Sequence, residues 1–190
     1  NMIDKANMEF KHLPFLSLLY NDCIADGRDI VMGGARFNRN GPQGVGLGTC
    51  ADILSTIEQV VFEQKLISGE DLMKACKANW TGYKVHHYGN DDDYADKYAV
   101  WIAHMYSTML KKKKVYRDPE NGFYIPGLYS IAINVALGSE LKATPDGRVD
   151  WEPVSDCLGA VHTYGGSHDV KGPTAIAKSV AKIDQSEITN

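Results

Sequence analysis

The sequence predicts an α/β fold in which a helix-rich outer shell surrounds a sheet of few strands. Several stretches repeat apolar residues at three- and four-residue steps, which is the period of an amphipathic helix. One stretch alternates large apolar residues with small or polar ones, which is the period of a strand. With 44% hydrophobic and 23% charged residues, the 190-residue chain has an ordinary globular composition and suffices for one domain or a large part of one.

The first third of the chain predicts a buried helix, a region of turns and a second helix. Apolar residues dominate from Phe15 to Ile24, so we expect a helix that is buried on most sides and ends near Gly27. Glycines recur between Gly33 and Gly48, where tight turns with positive φ are expected. After them, apolar residues at helical spacing predict an amphipathic helix over about 50–62.

Two further helices are predicted from their ends as well as from their periodicity. Ser68 followed by Asp71 resembles a capping box, and the helix that it begins extends to about residue 79. A longer helix over 93–111 has aspartates at its N-terminal end and lysines at its C-terminal end, which complements the helix dipole. Residues 111–114, the only basic run, are therefore interpreted as a solvated helix end.

The second half of the chain contains the one convincing strand. Residues 128–137 alternate large apolar side chains with small or polar ones, which predicts a buried strand with the three preceding helices packed outside it. The segment "ATPDGR" at 143–148 predicts a turn. Residues 175–184 predict a last helix.

Composition argues against several classes of partner and compartment. The net charge of −4 argues against nonspecific nucleic-acid binding. No apolar run reaches the roughly 18–20 residues that span a membrane, and the first residues lack the apolar core of a signal peptide. Four widely spaced cysteines contain no C-x-x-C pair, which fits buried free thiols in a reducing cytoplasm. They are Cys23, Cys50, Cys76 and Cys157.

The glycine-rich segment does not match a nucleotide-binding loop. Its glycines Gly44, Gly46 and Gly48 place the third glycine one residue too early for a dinucleotide fingerprint. A Walker A loop requires a Gly-Lys-Ser/Thr triplet, which the sequence lacks. The glycines are therefore interpreted as turns between buried elements.

Residue chemistry alone yields no complete active site. His86 and His87 precede aspartates 91–93, which suggests a metal site, but the spacing is not that of an EF-hand loop and helix capping explains the aspartates better. His162 and His168 are candidate acid–base groups without a defined nucleophile. We therefore predict no metal ligand and no cofactor-binding residue, and leave the roles of the four histidines open.

Five stretches stand out by their order along the chain: "GGARFN…G…VGLGTCADIL", "YGNDDDYAD", "ATPDGR", "EPVSD" and "GPTAIAKSVAKID". In this order they resemble the glycyl radical enzymes of the pyruvate formate-lyase and glycerol dehydratase type. The resemblance implies part of a ten-stranded α/β barrel, in which the glycine-rich segment is a structural crossing. Family members are several times longer, so residues 1–190 are expected to be a single partial domain. A short connection suggests that Tyr83–Lys84 joins two segments across an omitted loop.

The motifs that carry the radical chemistry in that family are absent from this sequence. No cysteine lies in a G-C-x-E-like motif, and no R-V-x-G-[YF]-like stretch is present. We therefore expect no catalytic residue in this segment. The resemblance implies a lyase, dehydratase or decarboxylase that acts on a small organic substrate by thiyl-initiated elimination or by C–C or C–O cleavage.

The resemblance also implies how the complete enzyme is activated and where it works. No cofactor is expected to be tightly bound, and the glycyl radical, on a residue outside this chain, is installed by a radical-SAM activating enzyme. The complete enzyme is expected to be an anaerobic, cytoplasmic homodimer without nucleic-acid or membrane partners. The segment starting "PGLYS" matches a barrel strand that offers a tyrosine to the substrate in the dehydratase branch, which makes Tyr129 the substrate-binding candidate.

Other functions remain open at this point. A formate acetyltransferase of the pyruvate formate-lyase type is one alternative. The segment between "PVSD" and "GPTA" is longer than in dehydratases, which leaves a decarboxylase open. Two alternatives come from other classes: a non-catalytic stand-alone scaffold or binding domain, and a small metal-binding hydrolase that uses His86, His87, His162 and His168.

Overall fold

A computed structural model describes residues 2–79, 82–163 and 166–189, which form two compact units. The smaller unit comprises Asn1–Pro42 and Tyr106–Pro126. The larger unit comprises Gln43–Met105 and Gly127–Asn190. The expectation of one partial domain with a chain join near Tyr83–Lys84 stays a prediction.

The smaller unit contains three short helices and a three-stranded sheet. The helices are α1 (Met2–Phe10), α2 (Pro14–Ser17) and α3 (Cys23–Asp26), followed by a 3-10 turn at Ile30–Met32. The strands are β1 (Arg39–Asn40), β2 (Lys114–Val115) and β3 (Asp118–Tyr124). β3 is central, parallel to β1 and antiparallel to β2.

A buried carboxylate attaches α1 to this sheet. Asp4 of α1 accepts hydrogen bonds from Asn40 in β1 at 3.1 Å and from the backbone N–H of Tyr116 at 3.1 Å. It also forms an ion pair with Arg117 at 2.7 Å. Because a buried charge is tolerated only when it is paired and hydrogen-bonded, these bonds hold α1 in place.

The predicted helix over Phe15–Ile24 is wrong in extent and in burial. The chain forms α2 and α3 instead, separated at Asp22, whose φ of 77° lies in the left-handed region. Phe15 and Leu19 are 79% and 72% exposed. The apolar side chains follow the predicted pattern, but no other part of the described chain packs over them.

The larger unit is built from helices. They are α4 (Leu47–Ile57), continued by a π-helical turn at Glu58–Glu63, then α5 (Gly69–Lys77), the part of α6 (Asp93–Lys111) up to Met105, α7 (Ile133–Ser139) and α8 (Pro173–Ala181). Two short antiparallel strands, β4 (His162–Thr163) and β5 (Gly166–Ser167), form a hairpin. The predictions of helices at 50–62, 69–79, 93–111 and 175–184 are confirmed within a few residues.

The N terminus of α4 packs directly on the segment that follows Pro153. The Thr49 backbone N–H donates to Ser155 Oγ at 3.0 Å, and the Ser155 backbone N–H donates to Thr49 Oγ1 at 2.9 Å. A Cβ atom at Gly48 would lie 2.5 Å from the carbonyl oxygen of Gly159, so only glycine allows this approach. This contact explains part of the glycine-rich segment.

The predicted buried strand over 128–137 is wrong. Gly127 forms isolated bridges to Gln43 and Thr189, but the chain then leaves the extended conformation and residues 133–139 form α7. The Asn134 side chain donates to the Val154 carbonyl at 2.9 Å, and the Val154 backbone N–H donates to the Asn134 carbonyl at 3.3 Å. A short apolar run fits either period, and these tertiary bonds favour the helix.

The turn at "ATPDGR" is confirmed, and its arginine explains its stability. Arg148 is almost fully buried and donates to the backbone carbonyls of Lys142, Val149 and Glu152. The guanidinium therefore satisfies several carbonyls of the surrounding loop at once.

Across the part of the chain that the structure describes, every helix is too short or too polar to span a bilayer.

Buried charges also join α8 to α6. Asp96 in α6 is 1% exposed and accepts bonds from Ser179 Oγ at 2.8 Å and from Lys182 Nζ at 2.7 Å. Burial alone would lower the pKa of Lys182, but its bonds to Asp93 and Asp96 outweigh burial and raise this pKa. Lys182 is therefore a permanent cation that neutralises a buried carboxylate.

We expect the isolated 190-residue chain to aggregate rather than fold into a stable monomer. Large apolar side chains stay exposed on α2, α3 and α7, and surfaces of this kind promote association. Size-exclusion chromatography with light scattering, together with calorimetry, tests this expectation. A monodisperse monomer that melts cooperatively would contradict it.

Lys182→Met should loosen α8 in the native polypeptide that contains this segment. Removing the cation leaves Asp96 buried without its charge partner, so the free energy of local opening should fall by about 3 kcal/mol. Hydrogen exchange of α8 peptides measures this change. Lys178→Met is the control, because its exposed pair with Asp91 should contribute little to stability. Equal effects of the two substitutions would refute the assignment.

Candidate functional site

An open cavity of about 380 Å³ lies in the larger unit, between the 130–134 segment and the 154–162 segment. Its polar lining comes from Ser130, Asn134, Ser155, Asp156 and His162. The Thr49–Ser155 bonds fix the 154–156 segment on α4, so the tertiary structure positions this wall.

Hydrogen bonds order three polar groups of this cavity, one of them through a carboxylate that is not part of the lining. Ser130 Oγ donates to Asp156 Oδ2, and His162 Nε2 lies 2.8 Å from Asp169 Oδ1. A carboxylate, a hydroxyl and an imidazole therefore share one opening. Such groups can orient a small polar molecule by hydrogen bonds.

Tyr129, the predicted substrate-binding residue, lines an adjoining cavity of about 410 Å³. Ser130 and Asp156 line both cavities. Tyr129 is 46% exposed, and its backbone carbonyl accepts a bond from Gln43 Nε2 at 2.7 Å. Its substrate role stays a prediction.

The four cysteines are free thiols without the electrostatic features of a nucleophile. Cys23 and Cys157 are buried as expected, but Cys50 is exposed and Cys76 is half-buried. Desolvation by the surrounding protein is the main cause that raises the pKa of each thiol. Cys157 illustrates this, since it is buried and receives only a weak bond from Gln43 Nε2 at 3.4 Å. A reactive thiolate requires the opposite shift of the pKa.

The structure divides the four histidines that sequence reasoning left open. His86 is exposed and pairs with Asp92 at 2.5 Å, and His162 pairs with Asp169. His87 and His168 lie together, with their ring centroids 4.0 Å apart. The hypothesis that all four histidines form one hydrolase site is therefore wrong in its geometry.

Asp52, which sequence reasoning missed, is the centre of the second group. It is fully buried in α4, where its Oδ1 accepts the Tyr88 backbone N–H at 2.6 Å. Its Oδ2 lies 2.7 Å from His168 Nδ1 and 3.3 Å from His87 Nδ1. The available signal was a carboxylate within the apolar-periodic stretch of a predicted helix.

Asp146 of the "ATPDGR" turn is a second buried carboxylate in this region. Neither carboxylate oxygen of Asp146 has a partner with the geometry of a hydrogen bond. The nearby Thr144 side chain nevertheless acts to lower the pKa of Asp146. Burial raises the pKa of Asp146, and the negative charge of Asp52 raises it further. Asp52, His87 and His168 each offer a ligand atom, and these three atoms lie within 4.8 Å of one another.

Comparison with known proteins decides the family. The family model described as "Pyruvate formate lyase-like" matches residues 1–138. The chain belongs to this family of glycyl radical enzymes. The resemblance of the five sequence stretches is thereby confirmed, and the barrel fold that it implied is supported by the solved relatives.

Three relatives show how this family member compares with longer proteins. The (2S)-3-sulfopropanediol dehydratase of Klebsiella oxytoca is 44% identical over 100% of this chain and 24% of its own length. A solved structure concerned with 1,2-propanediol dehydration in Roseburia inulinivorans is 38% identical, with a TM-score of 0.88, over 100% of this chain and 25% of that chain. A solved glycyl radical enzyme from Archaeoglobus fulgidus is 32% identical, with a TM-score of 0.87, over 100% and 24% of the two chains.

The family member described here therefore spans about a quarter of the length of its relatives. Dehydratases among the relatives support the main interpretation of the sequence rather than a formate acetyltransferase or a stand-alone scaffold.

Proposed function

We propose that these 190 residues are part of a glycyl radical dehydratase that removes water from a small vicinal diol or a related hydroxylated substrate. The observation that carries this proposal is the 44% identity to a dehydratase over the whole of this chain. Elimination from a diol needs groups that hold hydroxyls in a fixed orientation. The two adjoining cavities of the larger unit provide such groups.

The residues of this chain bind and orient the substrate in this proposal. The Asp156 carboxylate accepts a hydrogen bond from a substrate hydroxyl, and Ser130 holds that carboxylate in place. Tyr129 supplies a hydroxyl from the adjoining cavity, which shares Ser130 and Asp156 with the first. Asp156 lies at the opening shared with His162, so both ends of a three-carbon diol meet polar partners.

The radical step depends on residues outside this chain. A glycyl radical in the complete enzyme supplies, through a cysteine, the removal and return of one substrate hydrogen atom. Between those two transfers the substrate radical loses water, so the net reaction converts a 1,2-diol into an aldehyde and water. No tightly bound cofactor is needed, and a radical-SAM activating enzyme installs the radical.

The remaining expectations concern the assembly and its surroundings. We infer an anaerobic, cytoplasmic homodimer whose partners are the substrate and the activating enzyme, without nucleic acid or membrane. These expectations follow from the family and from the negative net charge.

The activity is tested on the native polypeptide that contains this segment, activated anaerobically by its radical-SAM partner. We expect a glycyl radical signal by electron paramagnetic resonance and aldehyde formation from 1,2-propanediol or (2S)-3-sulfopropanediol. The 190-residue chain alone should give no radical signal. Acetyl-CoA formation from pyruvate and CoA, without diol dehydration, would replace the dehydratase by the formate acetyltransferase.

Tyr129→Phe tests the predicted substrate contact in the same polypeptide. Losing one well-placed hydroxyl should lower turnover by about ten- to a thousand-fold with little change in melting temperature. Tyr116→Phe is the control, since Tyr116 is similarly exposed but belongs to the smaller unit and lines neither cavity. Normal turnover by the Tyr129→Phe enzyme would show that the Tyr129 hydroxyl does not contact the substrate.

A further inference from the structure

Three side chains that are far apart in the sequence converge on one buried point of the larger unit. Asp52 lies on α4, His87 lies before α6, and His168 follows the β4–β5 hairpin. The Asp52 carboxylate is fully buried, and the two imidazoles are only 17% and 16% exposed. The radical chemistry proposed above uses none of these groups.

The donor atoms are arranged as metal ligands are. Both imidazoles direct Nδ1 at the same carboxylate oxygen, Asp52 Oδ2, from 2.7 Å and 3.3 Å. The other oxygen is occupied by the Tyr88 backbone N–H, which orients the carboxylate in the way that outer hydrogen bonds orient metal ligands. The Nδ1 atom of His87 is buried and has no hydrogen-bond partner, although it lies beside Asp52.

Asp146 provides an independent reason to expect a cation here. It is 2% exposed, both of its oxygens lack a hydrogen-bond partner, and its charge acts on Asp52 and His168. A buried carboxylate without a partner is costly. The Arg148 guanidinium and the His168 imidazole act on this charge, and a cation bound beside Asp52 would stabilise it further.

We propose that Asp52, His87 and His168 bind one divalent transition-metal ion, with Asp146 as the neutralising carboxylate. Imidazole nitrogens together with carboxylate oxygens suit Zn²⁺, which they bind at about 2.0–2.2 Å. The ion replaces the proton between His168 Nδ1 and Asp52 Oδ2, and the imidazole keeps its proton on Nε2. The site is structural, since it joins α4 to the segments before α6 and after β5.

The test uses the native polypeptide that contains this segment, stripped of metal by a chelator and equilibrated with Zn²⁺. We expect about one bound Zn²⁺ attributable to this site by mass spectrometry of the metal content. His87→Gln and His168→Gln should each lower its affinity by at least about tenfold. His86→Gln and His162→Gln are matched controls, because those imidazoles are nearby in sequence but pair with Asp92 and Asp169. Equal binding by all four variants, or no binding by the unaltered protein, overturns the proposal.

A second measurement covers variants that fail to fold, which circular dichroism would reveal. In the unaltered protein, Zn²⁺ should protect His87 and His168 from acylation by diethyl pyrocarbonate, as read from peptide masses. His86 and His162 should react equally with and without Zn²⁺. Absence of selective protection at His87 and His168 overturns the proposal.

Discussion

The packing of the α4 N terminus on the 154–159 segment is the contact on which the larger unit depends. Thr49 and Ser155 exchange two hydrogen bonds across 106 residues of sequence, and Gly48 brings the two backbones together. One end of this contact sets the wall that carries Asp156. The other end fixes the helix that places Asp52 in the interior. The packing of α4 on the 154–159 segment therefore positions both the open cavity and the buried Asp52 centre.

Several charged side chains are buried in the described part of the chain, and most of them have a nearby partner that neutralises or solvates the charge. Asp4 pairs with Arg117, Asp96 pairs with Lys182, and Arg148 is surrounded by backbone carbonyls. The first two pairs link segments that are distant in sequence, whereas Arg148 stabilises its own loop. Asp146 differs from these groups, since neither of its buried oxygens has a hydrogen-bond partner, although the Arg148 guanidinium acts on its charge. That exception is the physical basis for a cation at the Asp52 centre.

The two candidate regions have different physical characters. The cavity around Ser130 and Asp156 is open and adjoins Tyr129, which suits a molecule that must enter and leave. The Asp52 centre is closed, and its imidazoles are mostly buried, which suits a permanent occupant. The proposed substrate contacts and the proposed metal ion therefore occupy separate regions of one unit.

The sequence by itself determined four of the helices and the family. The helices at 47–57, 69–77, 93–111 and 173–181 follow from periodicity and end signals that act over a few residues, and these were predictable. The five ordered stretches identified the family because each is a local pattern. Sequence reasoning also selected His87 and His168, but grouped them with His86 and His162, which pair elsewhere.

Tertiary structure alone decided the remaining features. Residues 128–137 alternate as a strand does, yet the bonds between Asn134 and Val154 favour a helix, because contacts across the fold outweigh a short local pattern. Asp52 joins His168 only because 116 residues of chain fold back on themselves. Periodicity reports which face of an element is apolar, but not which distant side chain that face meets. The cavity wall and the buried cluster therefore required the folded chain.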